Sequence, residues 1–140
     1  MLILYDTNDS LLVPTRAHPT DAGADLRSAD NIVIRPHTAE LVNTGVRLEI
    51  PDGYFGMVVS RSGHSKHRIS LANRVGIIDS SYRGDIMVRI ENLGESDFVI
   101  HKYDRIAQLI IVPCLLAEFS LGELSTTDRG EGGFGSTGIK

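Results

Sequence analysis

An all-β fold is predicted by three features of the sequence. Short apolar runs recur along the chain, several of them alternating with period two. Turn residues separate the runs, and long amphipathic helix patterns are missing. Many short strands at this spacing build a sandwich, jelly roll or barrel. A βαβ nucleotide fold needs helices between its strands, which this sequence does not offer.

The elements follow in order. Asp21-Ala22-Gly23-Ala24-Asp25-Leu26 reads as a turn entering a strand. Asn31 to Ile34 alternates, and so does Val46-Arg47-Leu48-Glu49-Ile50 after the short run Glu40 to Val42. Pro51-Asp52-Gly53 supplies a turn before Tyr54 to Val59. Ser62 to His67 is the one stretch given a helical turn. Ile69 to Leu71 and Val75 to Ile78 come next, then the turn Arg83-Gly84-Asp85 and the run Asp85 to Glu91. Asn92-Leu93-Gly94-Glu95 turns the chain into Asp97 to Ile100, and Arg105 to Val112 and Leu115 to Phe119 complete the set. From Thr126 the composition becomes glycine-rich with one aromatic, Phe134. We therefore expect one β domain over residues 1–125 and a flexible arm over 126–140, ordered by a ligand because it cannot bury enough apolar area alone.

At 140 residues the chain fits a single domain. Trp is absent and aromatics reach only 6%, so the core must be aliphatic. A formal net charge of −4 gives no global field for a nucleic-acid backbone, though a local arginine cluster can still hold a nucleotide. The lone cysteine, Cys114, lies in an apolar run, excludes an internal disulfide and fits a reducing compartment. The apolar start Met1 to Leu4 is too short for a signal peptide, and no run reaches the roughly 20 apolar residues of a membrane span. These features lead us to expect a cytoplasmic protein with no nucleic-acid or membrane partner.

Several segments carry candidate chemistry, each with a plainer reading beside it. Asp25 is either a site carboxylate or a solvated turn residue. Arg61-Ser62-Gly63 places a guanidinium, a hydroxyl and an unhindered N–H in succession, which suits phosphate oxygens but also describes an ordinary turn. Asp79 ends an apolar strand, where partial desolvation would raise its basicity toward that of a general base, unless it only shapes the turn. Gln108 sits in an apolar strand and its amide must find a partner, ligand or backbone. His64 and His67 are three apart with no second pair, so zinc is not expected and both are read as surface or packing residues. The glycine-rich tail lacks the Gly-Lys-Ser/Thr of a phosphate-binding P-loop.

Together these segments resemble the five motifs of the trimeric dUTPase family, with a bacterial cast. The matching stretches are Ala22 to Leu26, Arg61-Ser62-Gly63, Asn73 to Gly84, Asp104 to Leu109 and Arg129 to Gly138. The resemblance implies a dUTPase-like β-barrel or jelly roll that hydrolyses dUTP to dUMP and pyrophosphate with Mg²⁺. Such an activity keeps uracil out of DNA and supplies dUMP for dTMP synthesis. By the resemblance Asp79 would activate the attacking water, and Tyr82 would pack on the deoxyribose. Asn73 and the hairpin backbone through Ile78 would read uracil. Arg61, Ser62, Gly63 and Gln108 would hold phosphates, and Asp25 would contact the metal through water. Arg129, Gly135, Ser136 and Thr137 would close on the γ-phosphate, with Phe134 stacked over the base. A homotrimer with active sites shared between subunits is also implied.

Two departures stand out. His64-Ser65 follows Arg61-Ser62-Gly63 where the family usually has Leu and a small residue, and the link to Asn73 is about one residue shorter. Tyr103 precedes Asp104 where the family usually has Gly. A turn with φ > 0 would be strained by Tyr, so the hairpin there is expected to differ. Of rival readings, dCTP deaminase shares the fold but needs a glutamate after the Asp79 hairpin, and Glu91 lies too far along the next strand. A regulatory module that grips a partner protein is the third reading; the five motifs argue against a purely non-catalytic scaffold.

Overall fold

The computed structural model describes residues 1–133. The regular structure of these residues is almost all strand: β1 (Leu4–Asp6), β2 (Ala24–Arg27), β3 (Ile32–Ile34), β4 (Ala39–Asn43), β5 (Arg47–Glu49), β6 (Tyr54–Val59), β7 (Ile69–Leu71), β8 (Val75–Ile78), β9 (Met87–Asn92), β10 (Phe98–Ile100) and β11 (Arg105–Pro113). A 3₁₀ turn covers Ser10–Leu12, and one short helix, α1, covers Ser62–Ser65. No helix among the described residues is long and apolar enough to cross a membrane.

The strands pair antiparallel in four small sheets, ordered β2-β11-β6-β8, β4-β9-β7, β1-β5 and β10-β3. Between them lies the aliphatic core that the missing tryptophans require. Leu26, Ile34, Val42, Ile86, Ile90 and Ile106 are each no more than 1% exposed, and each such side chain contributes about 1.5–3 kcal/mol by leaving water. Alternation is visible in β9, where Val88 and Ile90 face the core while Met87 and Arg89 face out. Among polar groups, Asn92 is buried and donates to the carbonyls of Ile34 and Ser96 at 2.9 and 2.8 Å, tying β9 to β3 and to the turn before β10.

Three elements depart from expectation. β1 and the 3₁₀ turn are present although neither Leu4–Asp6 nor Ser10–Leu12 carries an alternating apolar run. β1 is fixed from outside, pairing with β5 and placing Asp6 against Arg47. The 3₁₀ turn is capped by Asp9, whose carboxylate accepts the Leu11 N–H at 3.1 Å. Conversely, Leu115 to Phe119 forms no strand. Its apolar residues stay in water because no strand of this chain pairs with them among the described residues: Leu115 and Phe119 are each 97% exposed.

The hairpin before β11 also corrects the reading of Tyr103. It does not abandon the left-handed turn: Tyr103 takes φ +74°. The Tyr103 hydroxyl donates to Asp9 at 2.9 Å, its N–H donates to Ser28, and its carbonyl accepts from Arg27. The Lys102 ammonium lies 4.8 Å from the ring centroid. These contacts offset a left-handed penalty of about 1–2 kcal/mol.

Candidate active site

The candidate residues fall into two groups on the sheet β2-β11-β6-β8, one around Asp25 at one end and one running along β8 to Asp79 at the other. At one end, Asp25 on β2 lies directly across from Gln108 on β11, which in turn faces Val59 near the end of β6. Two residues beyond Val59 comes Arg61, the residue before α1. Arg61 turns back over the sheet, and its Nε donates to Asp25 Oδ1 at 2.9 Å. Arg105 at the start of β11 donates through Nη1 to Asp25 Oδ2 at 3.4 Å. Asp25 is therefore a buried carboxylate between two guanidiniums, its side chain 7% exposed. This corrects the reading of Asp25 as a solvated turn residue.

The phosphate-loop candidates are built on that ion pair. Ser62 and Gly63 open α1 and are exposed, and a Cβ placed at Gly63 would meet nothing within 4 Å. The loop is pinned on both sides, since the Ser60 hydroxyl accepts the Leu71 N–H at 3.0 Å and Ser65 Oγ donates to the Ser62 carbonyl. Gly23 packs tightly here: a Cβ would lie 3.1 Å from Gln108 Cβ and press on its amide.

His64, at the family's usual leucine, packs edge-on to Phe98 with ring centroids 5.9 Å apart. His67 lies 6.3 Å from the same ring. Burial, with the Arg61 charge beside it, holds the His64 imidazole below its usual pKa of 6.5, against the opposing pull of the Arg105 carbonyl and Asp104. Arg61, His64, Asp104 and Arg105 share a cavity of about 220 Å³.

The second group lies along β8 and its turn. Asn73 precedes β8 and Asp79 follows it. Both are exposed in the single chain, so the expected partial desolvation of Asp79 by aliphatic neighbours is not what these residues alone provide. Ile78 is half-buried at the end of the strand. The turn itself is firmly held: the Tyr82 N–H donates to the Asp79 carbonyl at 3.1 Å, and Ser80 Oγ donates to Asp52 at 3.0 Å. Tyr82 folds over Gly84, where a Cβ would come within 2.4 Å of the phenol oxygen, and its hydroxyl donates to the Asp85 carbonyl.

Register fixes the distance between Asp79 and the first group, while Asn73 at the other end of β8 lies level with Arg61. Ile78 faces Gly56, so Asp79 lies level with Phe55, six residues from Arg61 along the β6 direction. At about 3.3 Å per residue the separation is on the order of 20 Å. One chain therefore does not bring Asp79 to its own Arg61 and Gln108. Arg129 is apart from both groups and donates to the Gly132 carbonyl at 2.9 Å within its own turn. Phe134, Gly135, Ser136 and Thr137 lie outside the described residues.

Among the described residues no cluster of three or more His, Cys, Asp or Glu side chains could cage a metal ion. A cation that arrives on a polyphosphate fits this donor set better, since Mg²⁺ keeps several waters and needs few protein ligands. A more apolar cavity of about 490 Å³, lined in part by Met1, Ile3, Leu48 and Ile111, includes none of these residues, although Ala24 and Leu109 beside Asp25 and Gln108 line it.

Sequence reading missed Arg105. The pair Ile106-Ala107, two consecutive buried residues that break the alternation of β11, marks its placement only through the pairing with β2.

Comparison with known proteins agrees with this geometry. The dUTPase family model matches residues 9–138. The chain is 39% identical over 140 residues to a deoxyuridine 5'-triphosphate nucleotidohydrolase of Clostridium novyi, covering 99% of each. Among solved structures it is similar to a variant of the Staphylococcus bacteriophage 80alpha dUTPase with dUpNHpp, at TM-score 0.90 and 31% identity over 99% of both chains. A variant dUTPase from phage phi11 of S. aureus, described with a structural Mg(II) ion, aligns at TM-score 0.82 and 27% identity over 89% of this chain and 98% of that one.

Proposed function

The chain belongs to the dUTPase family, and from that premise we propose that it hydrolyses dUTP to dUMP and pyrophosphate at sites built from more than one subunit. The observation that carries this reading is a match along residues 9–138 falling on a chain that holds both an arginine-lined end and an intact Asp79 hairpin.

In this reading uracil lies along β8, read by Asn73 and by backbone groups through Ile78. Tyr82 packs on the deoxyribose, where a 2′-hydroxyl would meet the ring without a partner. Arg61, Ser62, Gly63 and Gln108 of another subunit hold the phosphates, with N–H groups and guanidinium offsetting the charge that develops. Asp79 takes a proton from a water aimed at the α-phosphorus, and pyrophosphate leaves in line. Asp25 would contact, through water, a Mg²⁺ carried by the triphosphate, which when bound would neutralise phosphate charge. Residues 126–140, with Arg129, Phe134, Gly135, Ser136 and Thr137, close over the bound nucleotide.

A homotrimer is supported by the separation of about 20 Å and by the apolar side chains of Leu115, Leu116, Phe119, Leu121 and Leu124, each at least 84% exposed in one chain. Its mass would be three times 15.3 kDa, about 46 kDa. The net charge of −4 argues against a nucleic-acid partner, and a cytoplasmic setting suits a nucleotide substrate.

The test is a panel of dUTP, dTTP, dCTP and UTP with Mg²⁺, run in ¹⁸O-water. The reading expects turnover of dUTP above the rest, with the label in dUMP rather than pyrophosphate. Ammonia release from dCTP, or label in pyrophosphate, would contradict it.

A further inference from the structure

Arg105 and Gln108 are three positions apart on β11, a spacing that puts side chains on opposite faces of a regular strand. The pairing with β2 is not regular. Gln108 faces Asp25, Ala107 faces Leu26 and Arg105 faces Arg27, so Ile106 is the extra residue of a bulge. Because Arg27 and Asp25 share a face of β2, the bulge returns Arg105 to the face that carries Asp25 and Gln108.

There Asp25 accepts from both Arg105 and Arg61, one oxygen to each. The guanidiniums are anchored on one side and open on the other, with Arg61 25% and Arg105 46% exposed while Asp25 is 7% exposed. Asp25 offsets one arginine charge and Asp104 lines the same cavity, so what the cluster offers a phosphate is the guanidinium N–H groups beside Gln108 and the Ser62–Gly63 loop rather than net charge. Two planar forks, fixed in orientation and with free N–H groups, match the oxygens of a polyphosphate.

We propose that Arg105 is a second phosphate-holding arginine of this site, set on the Gln108 face by the bulge at Ile106 and braced together with Arg61 by Asp25. Asp25 is then a positioning residue for both guanidiniums. This rests on the triphosphate reading above and adds a residue to it.

The experiment uses the full chain and three probes: inorganic tripolyphosphate, dUpNHpp and deoxyuridine. Arg105→Gln should bind tripolyphosphate and dUpNHpp roughly ten- to hundredfold more weakly, the usual scale for a lost hydrogen bond to a charged group, and deoxyuridine as wild type does. In an Asp25→Asn background the same change should cost less than about twofold, because the arginine is no longer held in place. Equal weakening for all three probes, unchanged tripolyphosphate binding, or additive losses in the double variant would each overturn the proposal. Should Arg105→Gln fold poorly, Arg105→Lys keeps the charge beside Asp25 and loses the fork. It should still bind tripolyphosphate more weakly, and parity with wild type would overturn the proposal. A wild-type chain that binds tripolyphosphate through Arg105 yet leaves dUTP intact would sink the hydrolase reading alone.

Discussion

Asp79 and His64 carry opposite kinds of burden at the residue scale. Asp79 is exposed and its environment as a base is completed only by whatever closes over β8. If it activates water, Asp79→Asn should still bind dUpNHpp while kcat falls roughly 10²–10⁴-fold, the span of one acid–base group. Near-normal turnover would move that role elsewhere. His64 is half-buried against Phe98 and titrates below 6.5 because burial and Arg61 disfavour its charged form. The unfolded chain therefore takes up the proton first as pH falls. The stability linked to neutral His64 is full above about 6.5 and is lost as pH drops through the lower folded value. His64→Leu should flatten the pH dependence of the melting temperature between pH 8 and 5, and an unchanged slope would contradict this account. Neither setting was legible in the sequence. The type and spacing of Asp25, Arg61 and Gln108 were, but the burial of Asp25 depends on groups from three separate elements.

Elements were legible in proportion to their internal period. β9 and β5 alternate strongly and stand where alternation puts them, and α1 falls within Ser62 to His67. β1 and the bulge at Ile106 are decided by their cross-strand partners, which no local window contains. Leu115 to Phe119 errs in the other direction, having an apolar pattern without a partner in its own chain. The glycine-rich segment after Thr126 has an energetic role assigned to it by composition: ordering it costs the most backbone entropy and offers only Phe134 and Ile139 as large apolar side chains to bury. Its contacts should form only as nucleotide is held. Deleting residues 126–140 should leave the melting temperature near wild type and remove most of kcat, with Arg129→Ala nearly as severe and Phe134→Ala milder. Base–aromatic stacking of about 1–3 kcal/mol sets the scale for the last of these. A truncated chain with full turnover would make the tail a dispensable end.

For the whole molecule, strand register decides what composition cannot. Asp79 lies six residues from the level of Arg61 along the β6 direction, while the proposed reaction needs both groups on one substrate. In that reading the catalytic unit is an oligomer and a single chain holds only parts of each site. Subunit mixing tests this most directly. Asp79→Asn and Arg61→Gln chains are purified separately, each with little activity, then unfolded together in equal amounts and refolded. If Asp79 and Arg61 of one site come from different chains, random assembly leaves about a quarter of the sites with both residues intact. dUTP turnover should then recover to about a quarter of wild type. If each site were contained in one chain, every site would carry one defect, and a mixture no more active than its parents would contradict the account.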